Sequence, residues 1–187
     1  DPLWSRGLGD VYKRQIFMRL VGLTPMNDDR HIATTSWYHG VHNFRARIYY
    51  DATDAGGIVY HTEYLSIAEH ARTEALRSLG FQQRCLIRDQ EIMLTVRRCN
   101  IEYISPAFLD DLVEVRTSFN NLYGARISIE QTIHRIGERT AKDDLLVAIE
   151  TDIACVGKAG KPKRLPKDLK EAITSKINNN RVLETVV

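Results

Sequence analysis

The sequence predicts an α+β domain in which one long helix packs on one face of a five-stranded antiparallel sheet. Three observations lead to this fold class: an alternating segment that suits a strand, one helical stretch with an apolar stripe, and four further strand candidates after it. The chain has 187 residues, 43% of them hydrophobic, which suits one domain with a real core and tails.

The first strand and the helix follow from two different periodicities. Residues 44–50 alternate and predict the first strand, and the composition of residues 51–57 predicts a loop. Residues 62–79 carry apolar side chains at spacings of three and four, which places one apolar stripe along a helix. Gly80 supplies the helix stop.

The four later strands are predicted at residues 92–103, 112–119, 125–133 and 147–155. In the first of them the apolar positions change phase near Arg97 and Arg98, which predicts a β-bulge. One helix covers only one sheet face, so the other face or an edge strand needs a cover. Oligomerisation supplies such a cover at low cost.

The two ends of the chain are expected to lie outside the folded domain, which we bound at residues 44–170. We interpret residues 1–43 as a disordered leader, partly foreign, because the run from Asp10 to Gln15 resembles translated adaptor DNA. On this interpretation the native start is Met18 or Met26. Residues 171–187 are charged and rich in asparagine, and are expected to form a C-terminal tail, with a short helix after Pro166 that frays as the alternative.

Composition argues against several classes of function. Twenty-six basic residues balance 24 acidic ones, giving a net charge of +2, which does not indicate a nucleic-acid binder. No apolar run is long enough for a membrane span. The cysteines, Cys85, Cys99 and Cys155, match neither a zinc pattern nor a disulfide framework, which favours the cytoplasm. We expect Cys99 and Cys155 to be small buried strand residues, with a catalytic Cys–His pair as the alternative.

The candidate catalytic segment covers residues 49–64. It places Asp54 in a glycine-containing loop and His61 near the start of the long helix. A carboxylate can act as a nucleophile or as a general base, and helix N-terminal amides can polarise a carbonyl oxygen. These are the parts that acyl transfer needs, although an ordinary turn would have a similar composition.

The same segment resembles the signature of hotdog-fold acyl-CoA thioesterases of the 4-hydroxybenzoyl-CoA thioesterase type. Further matching positions lie at residues 71–74, 102–107, 109–115 and 162–166, so the resemblance extends over most of the predicted domain. The sequence is most similar to the branch associated with the Tol–Pal envelope system. The resemblance implies a hotdog fold, in which the central helix packs against the sheet.

The resemblance also implies roles for individual residues. Asp54 takes the position of the catalytic carboxylate, and His61 supports the thioester at the head of the helix. Four residues are expected to bind substrate: Gly57, Tyr60, Thr62 and Tyr64. Core packing is an equal alternative for the two tyrosines. Coenzyme A belongs to the substrate, so neither a separate cofactor nor a metal is expected.

The implied reaction is hydrolysis of acyl-CoA, or of acyl-carrier-protein thioesters, by a homodimer or homotetramer. Two other functions stay open: hydratase chemistry on acyl thioesters, and a non-catalytic acyl-CoA-binding or scaffold role in the cell envelope. Glu69 on the helix is the next candidate if Asp54 is not catalytic. Arg97 and Arg98 could meet CoA phosphates, but a solvated strand face suits them better.

Two positions depart from the family pattern. Ala52 stands where the family usually has an acidic residue, which puts the tuning of Asp54 in question. Arg126 alone remains of a basic cluster that the 4-hydroxybenzoyl-CoA enzymes carry, so their CoA phosphate contacts do not transfer to this chain.

Overall fold

The fold is described from a computed structural model for residues 35–137 and 144–184, with side chains as far as residue 178. Six antiparallel strands form one sheet in the order β1-β2-β4-β5-β6-β3. Their bounds are β1 Thr35–Tyr38, β2 Val41–Arg47, β3 Ile92–Tyr103, β4 Leu112–Tyr123, β5 Arg126–Ile136 and β6 Asp144–Gly157. This architecture confirms the predicted α+β class.

Three α-helices accompany the sheet in the described residues: α1 Glu63–Ser78, α2 Gln83–Gln90 and α3 Lys167–Glu184. The long helix α1 confirms the helix predicted at residues 62–79. Its buried residues follow the predicted apolar stripe: Tyr64, Ala68, Ala71, Ala75 and Leu76. These side chains are small after the first turn, so the helix backbone can lie close to β2, β4 and β5.

The two faces of the sheet differ in polarity. The face beneath the helices is apolar, with buried residues such as Val115, Ile133 and Ile149. The opposite face carries polar side chains such as Ser128, and Glu130 lies directly across from Glu150 on the neighbouring strand. A charged face can stay in water. The expectation that this face needs a cover is therefore revised. Within residues 35–137 and 144–184, the outer edge of β3 pairs with no further strand.

The β-bulge predicted in the third strand is confirmed. The pairing of β3 with β6 shifts register between Val96 and Arg98. Because of this bulge, Val96 before it and Cys99 after it both lie on the helix-facing side of the strand. They pair with Ile153 and Thr151 of β6, respectively.

The sheet has a sixth strand that the sequence-based prediction missed. Strand β1 and the start of β2 lie within residues 35–43, which were assigned to the leader. The turn between them uses His39 and Gly40, both with positive φ, which suits a tight two-residue hairpin. Trp37 packs against His42 and Phe119. Polar residues lie between these aromatic side chains, so the sequence shows no clear alternation of apolar and polar residues that would predict the strand. The rest of the predicted leader lies outside the described residues.

The C-terminal boundary is also wrong. Helix α3 runs through the range assigned to the tail, and its residues Leu169, Ile173 and Ile177 are buried. They recur every four residues, so they form one apolar stripe that packs with Leu76 and Phe119. Three asparagines and several charged residues lie between or after these positions, which is why composition suggested a tail.

The cysteine expectation holds for one residue and fails for the other. Cys155 in β6 is fully buried, whereas Cys99 in β3 is exposed. The difference arises because β3 is an edge strand and β6 is an interior one. In the described part of the chain, no helix combines the length and the apolar character that a bilayer crossing requires.

Candidate active site

The loop that carries Asp54 is a tight turn closed by backbone hydrogen bonds. Thr53 pairs with Val59, the Asp54 amide donates to Ile58 O (3.1 Å), and the Gly57 amide donates to Asp54 O (3.0 Å). Gly57 has φ +75°, a conformation that favours glycine. This turn projects the Asp54 side chain outward, where it is exposed.

The Asp54 carboxylate is oriented by the loop itself. Its Oδ1 accepts a hydrogen bond from the Gly56 amide at 2.7 Å. A Cβ at Gly56 would lie 3.0 Å from this oxygen, so a larger residue would crowd the carboxylate. Its second oxygen accepts no hydrogen bond within the described residues, and is available to a water molecule or a thioester.

Helix α1 begins beside this carboxylate. The Glu63 amide donates to Tyr60 O (2.9 Å) and the Leu65 amide donates to Thr62 O (3.0 Å). The amides of His61 and Thr62 donate to no backbone acceptor in residues 35–137 or 144–184, and the Thr62 side chain does not cap the helix. Unpaired amides at a helix start carry partial positive charge, which favours an oxygen that gains negative charge.

The opposite wall of the site comes from the end of β3 and the loop after it. The Tyr103 hydroxyl donates to His61 O (3.0 Å), which ties β3 to the helix start. The Ala107 amide donates to the buried hydroxyl oxygen of Tyr64 (2.8 Å), while Ala107 O accepts from the Val59 amide (2.9 Å). Burial raises the pKa of the Tyr64 hydroxyl, so it stays neutral near neutral pH.

Arg135 fixes the loop that follows β3. Its guanidinium contacts Asp111 Oδ2 (2.8 Å) and Asp144 Oδ2 (2.6 Å), and also donates to Pro106 O. Asp111 Oδ2 in turn accepts from the Phe108 amide (2.8 Å). The guanidinium therefore ties several parts of the loop to β5 and β6, and keeps the wall in place.

Together these elements line a cavity of about 480 Å³ that is open to solvent on one side. This volume falls in the range usual for small-molecule sites. The cavity is lined by the residues Asp54, Ile58, Val59, Tyr60, His61, Tyr64, Tyr103, Ile104, Ser105 and Pro106. Apart from the carboxylate and imidazole, the lining is mostly aromatic and aliphatic, so it can receive an acyl group next to a charged oxygen.

The predicted site residues divide into two groups. Asp54, Tyr60, His61 and Tyr64 all line this cavity. Gly57 does not line it and instead supports the turn, and Thr62 lies at the helix start with its side chain exposed. The catalytic and substrate-binding roles of all six residues stay predictions.

Some lining residues were not predicted individually. Tyr103 and residues 104–106 belong to a segment that resembles the family, but nothing in the sequence predicts that it lies opposite His61. That placement depends on the pairing of β3 with β6 at the sheet edge.

The secondary candidates lie elsewhere. Glu69 is outside this cavity, and its Oε1 accepts from the Thr73 hydroxyl (2.7 Å). Arg97 and Arg126 approach Asp152 at 3.9 and 3.7 Å, and Arg126 also stacks on Tyr123. This arrangement agrees with a solvated strand face for Arg97.

A sequence profile of the thioesterase superfamily matches residues 56–142. An acyl-CoA thioesterase YbgC from Haemophilus influenzae is 41% identical over 133 residues, covering 70% of this chain and 92% of the relative. An acyl-CoA thioester hydrolase YbgC from Escherichia coli is 38% identical over 124 residues, covering 66% of this chain and 88% of the relative.

Solved structures agree with these sequence matches. A probable thioesterase from Bartonella henselae superimposes with a TM-score of 0.62 at 36% identity, covering 67% of this chain and 99% of that one. A 4-hydroxybenzoyl-CoA thioesterase complexed with 4-hydroxybenzoyl-CoA gives a TM-score of 0.67 at 16% identity, over 71% and 98%, which supports the fold alone. The chain therefore belongs to the thioesterase superfamily, and within it to the YbgC-type acyl-CoA thioesterases.

Proposed function

We propose that the protein hydrolyses acyl-CoA thioesters in the cavity between the Asp54 loop, the start of α1 and the end of β3. The observation that carries the proposal is the meeting of an exposed carboxylate and the start of a helix in one largely apolar cavity. The activity printed for the relatives from Haemophilus influenzae and Escherichia coli supports it.

In this mechanism the thioester carbonyl oxygen lies at the amides of His61 and Thr62. Negative charge develops on that oxygen as the carbonyl carbon becomes tetrahedral, and helix-start amides stabilise it. The acyl group lies against Tyr60, Tyr64 and Tyr103. The pantetheine arm leaves through the open side of the cavity, because the opposite side is closed by buried Tyr64 and Val59.

Asp54 can act by two routes that give the same products. As a general base it takes a proton from water, whose oxygen attacks the carbonyl carbon; the C–S bond then breaks, and the proton passes to the leaving thiolate. As a nucleophile its free oxygen attacks first, releasing CoA and forming a mixed anhydride that water later hydrolyses. Only the second route leaves an acyl group on the protein.

Substitution of Asp54 tests the proposal. Asp54→Asn retains the shape of the side chain and removes its charge, and we expect turnover of acyl-CoA to fall by about a hundredfold or more. CoA affinity should change little. Asp51→Asn, on the neighbouring exposed carboxylate, is the matched control. Rapid-quench mass spectrometry of the wild type then shows whether acyl mass accumulates on the peptide containing Asp54.

Near-wild-type hydrolysis by Asp54→Asn would refute the assignment. A wild-type protein that binds acyl-CoA and hydrolyses none would favour the non-catalytic binding or scaffold function. In that case the hydrolytic activity of Ala52→Asp, which restores an acid beside the loop, distinguishes two explanations. Recovered hydrolysis would mean that Ala52 had inactivated the site, and no recovery would favour the non-catalytic function.

We further propose that the protein is at least a homodimer, joined through β3, and that it assembles into a tetramer. The support is the long edge of β3, which pairs with no further strand in the part of the chain that the structure describes, together with its exposed hydrophobic residues Met93, Val96 and Tyr103. Tyr103 also lines the cavity, so the partner would lie beside the substrate. A stable monomer at micromolar concentration in sedimentation equilibrium would contradict this arrangement.

We also propose further substrates and a setting for the enzyme. Acyl-carrier-protein thioesters carry the same pantetheine arm, so the same cavity suits them. The cysteine pattern supports a cytoplasmic location. The resemblance to the Tol–Pal-associated branch supports a role beside the cell-envelope system.

A further inference from the structure

A second cavity lies beneath the other half of α1. It has a volume of about 80 Å³. One water molecule occupies about 30 Å³ in the liquid, so this cavity has the volume of only a few waters. It can therefore hold the end of an acyl chain but is too small for a nucleotide. Its walls are mainly hydrophobic residues of α1 and of strands β3 to β6, including Leu76, Val96, Phe119 and Ile129.

Three polar residues interrupt this hydrophobic lining: Glu69, Arg72 and Gln83. The Arg72 guanidinium is held by the fully buried Gln131, whose Oε1 accepts from Arg72 Nη1 at 2.7 Å. Gln131 is fixed in turn, because its Nε2 donates to Ala68 O (2.9 Å) and to Thr117 Oγ1 (3.0 Å). The guanidinium therefore has a fixed position at the cavity wall.

The partner that holds Arg72 is neutral. Within the described residues no carboxylate lies within 4.0 Å of its guanidinium, and Glu69 accepts its hydrogen bond from Thr73. Burial lowers the pKa of Arg72, and the more distant charge of Glu69 partly opposes this. An arginine has five N–H donors. A partly buried guanidinium with a single neutral partner leaves donors for an anionic or carbonyl oxygen.

The two cavities are lined by different residues but lie along the same two elements, β3 and α1. On β3, Tyr103 lines the candidate active site while Leu94 and Val96 line the second cavity. Cys99 and Ile101 lie between them on the same side of the strand, opposite Thr151 and Ile149 of β6.

On α1, Tyr64 lines the active site and Arg72 the second cavity. Their spacing along the helix is about 12 Å. This is comparable with the length of an extended acyl chain of medium length.

We propose that the second cavity receives the far end of the acyl chain, and that Arg72 selects chains whose end carries a carboxylate or another acceptor oxygen. This inference rests on the proposed function, since it places the carbonyl at His61 and the chain end at Arg72. The substrate class is therefore a medium-chain acyl thioester with an oxygen at its distal end, such as the mono-CoA thioester of a dicarboxylic acid.

Matched pairs of substrates test this proposal. We would measure kcat/KM of the full chain for suberoyl-CoA against octanoyl-CoA and for sebacoyl-CoA against decanoyl-CoA. The wild type should prefer the member with the terminal carboxylate by roughly tenfold to a hundredfold, the usual scale of a hydrogen bond to a charged group. The short pair succinyl-CoA and butanoyl-CoA cannot reach Arg72 and should show no such dependence on this residue.

Variants of Arg72 identify the group responsible. Arg72→Met should abolish the preference in both longer pairs, and Arg72→Lys, which retains the charge, should preserve part of it. Arg88→Met on the exposed face of α2 is the control and should leave every ratio unchanged. Each ratio is measured on one preparation, so a loss of folded protein affects both substrates equally.

Equal or better turnover of the plain acyl chains by the wild type would overturn the inference, as would a ratio that Arg72→Met leaves unchanged. Either result leaves the proposed hydrolase function intact. If the wild type hydrolyses no CoA thioester, the same pairs are compared as non-hydrolysable thioether analogues by calorimetry. A preference that depends on Arg72 would then support the binding site although the proposed reaction had failed, and its absence would overturn the site as well.

Discussion

The two halves of α1 are held in different ways. The first half, residues 63–71, packs through Tyr64, Ala68 and Ala71 into one hydrophobic cluster, and it also adjoins the active-site loops, where hydrogen bonds such as that from the Ala107 amide to Tyr64 fix its surroundings. The second half, residues 72–78, packs into a hydrophobic cluster with α2 and α3. The comparison shows that hydrophobic packing holds both halves, and that the candidate site is built at the end where hydrogen bonds from the surrounding loops are added to this packing.

The largest effect is expected at the packed end. Ile173→Ala removes a fully buried side chain of α3 and should lower the free energy of unfolding by about 2–5 kcal/mol. Turnover per folded molecule should stay unchanged, because Ile173 is remote from the Asp54 cavity. Urea denaturation together with kcat measures both quantities. A large fall in kcat with unchanged stability would mean that the two halves of α1 do not act separately.

His42 should make the packed end sensitive to acid. Its ring is fully buried against Trp37, and burial lowers its pKa to about 4 from the ordinary 6.5. The unfolded chain therefore binds a proton first as the pH falls, so stability is full above about 6.5 and is lost towards pH 4. The loss from this residue is on the order of 3 kcal/mol.

Comparison of unfolding free energies at neutral pH and near pH 4.5 tests this effect. His42→Leu should lose less stability on acidification than the wild type, whereas His70→Gln, at an exposed position on α1, should behave as the wild type does. Parallel pH profiles for all three proteins would show that His42 is not the group responsible.

A smaller effect on stability, but a clear one on activity, is expected at the hydrogen-bonded end. Tyr64→Phe leaves the Ala107 amide without its acceptor and should cost about 1–3 kcal/mol of stability. The loop after β3 should also loosen, so kcat/KM for acyl-CoA should fall. Tyr123→Phe, at an exposed tyrosine, is the control. Unchanged kcat/KM in Tyr64→Phe would show that this bond does not shape the site.

The smallest effect is predicted for His61→Ala. The polarising groups at this position are backbone amides, which the substitution retains, so turnover should fall by about tenfold or less, roughly 1.4 kcal/mol in the barrier. The loss must be smaller than that in Asp54→Asn measured with the same substrate. An equal loss would give the imidazole a direct part in proton transfer.

Much of the first half of the domain could be predicted from local sequence. The strand before Asp54, the glycine turn, the apolar stripe of α1 and the bulge near Arg97 each have a short-range signal, and the structure has all four. The strand predicted at residues 44–50 runs instead over Val41–Arg47. The family resemblance assigned Asp54 and His61 to one site, and both line one cavity. Their catalytic roles stay predictions.

Two of the three missed elements share a physical cause; the third is helix α2, Gln83–Gln90, for which no helix is predicted from the sequence. Strand β1 and helix α3 are amphipathic segments with polar residues between their few apolar anchors, so composition made them look like tails. Trp37 packs against the core and Ile173 lies within it only because the sheet and α1 provide a surface for them to cover. In isolation a two-stranded hairpin is marginally stable at best, and a helix takes most of its stability from packing its apolar face.

The sequence alone determined the local conformation around Asp54, because a positive φ at Gly57 and the 3.6-residue periodicity of α1 depend on neighbouring residues only. The tertiary structure decided what faces that loop. Tyr103 reaches His61, and Arg72 reaches Gln131, through strand pairings that join residues dozens of positions apart. Such contacts depend on the order and register of all the strands, which no short stretch of sequence encodes.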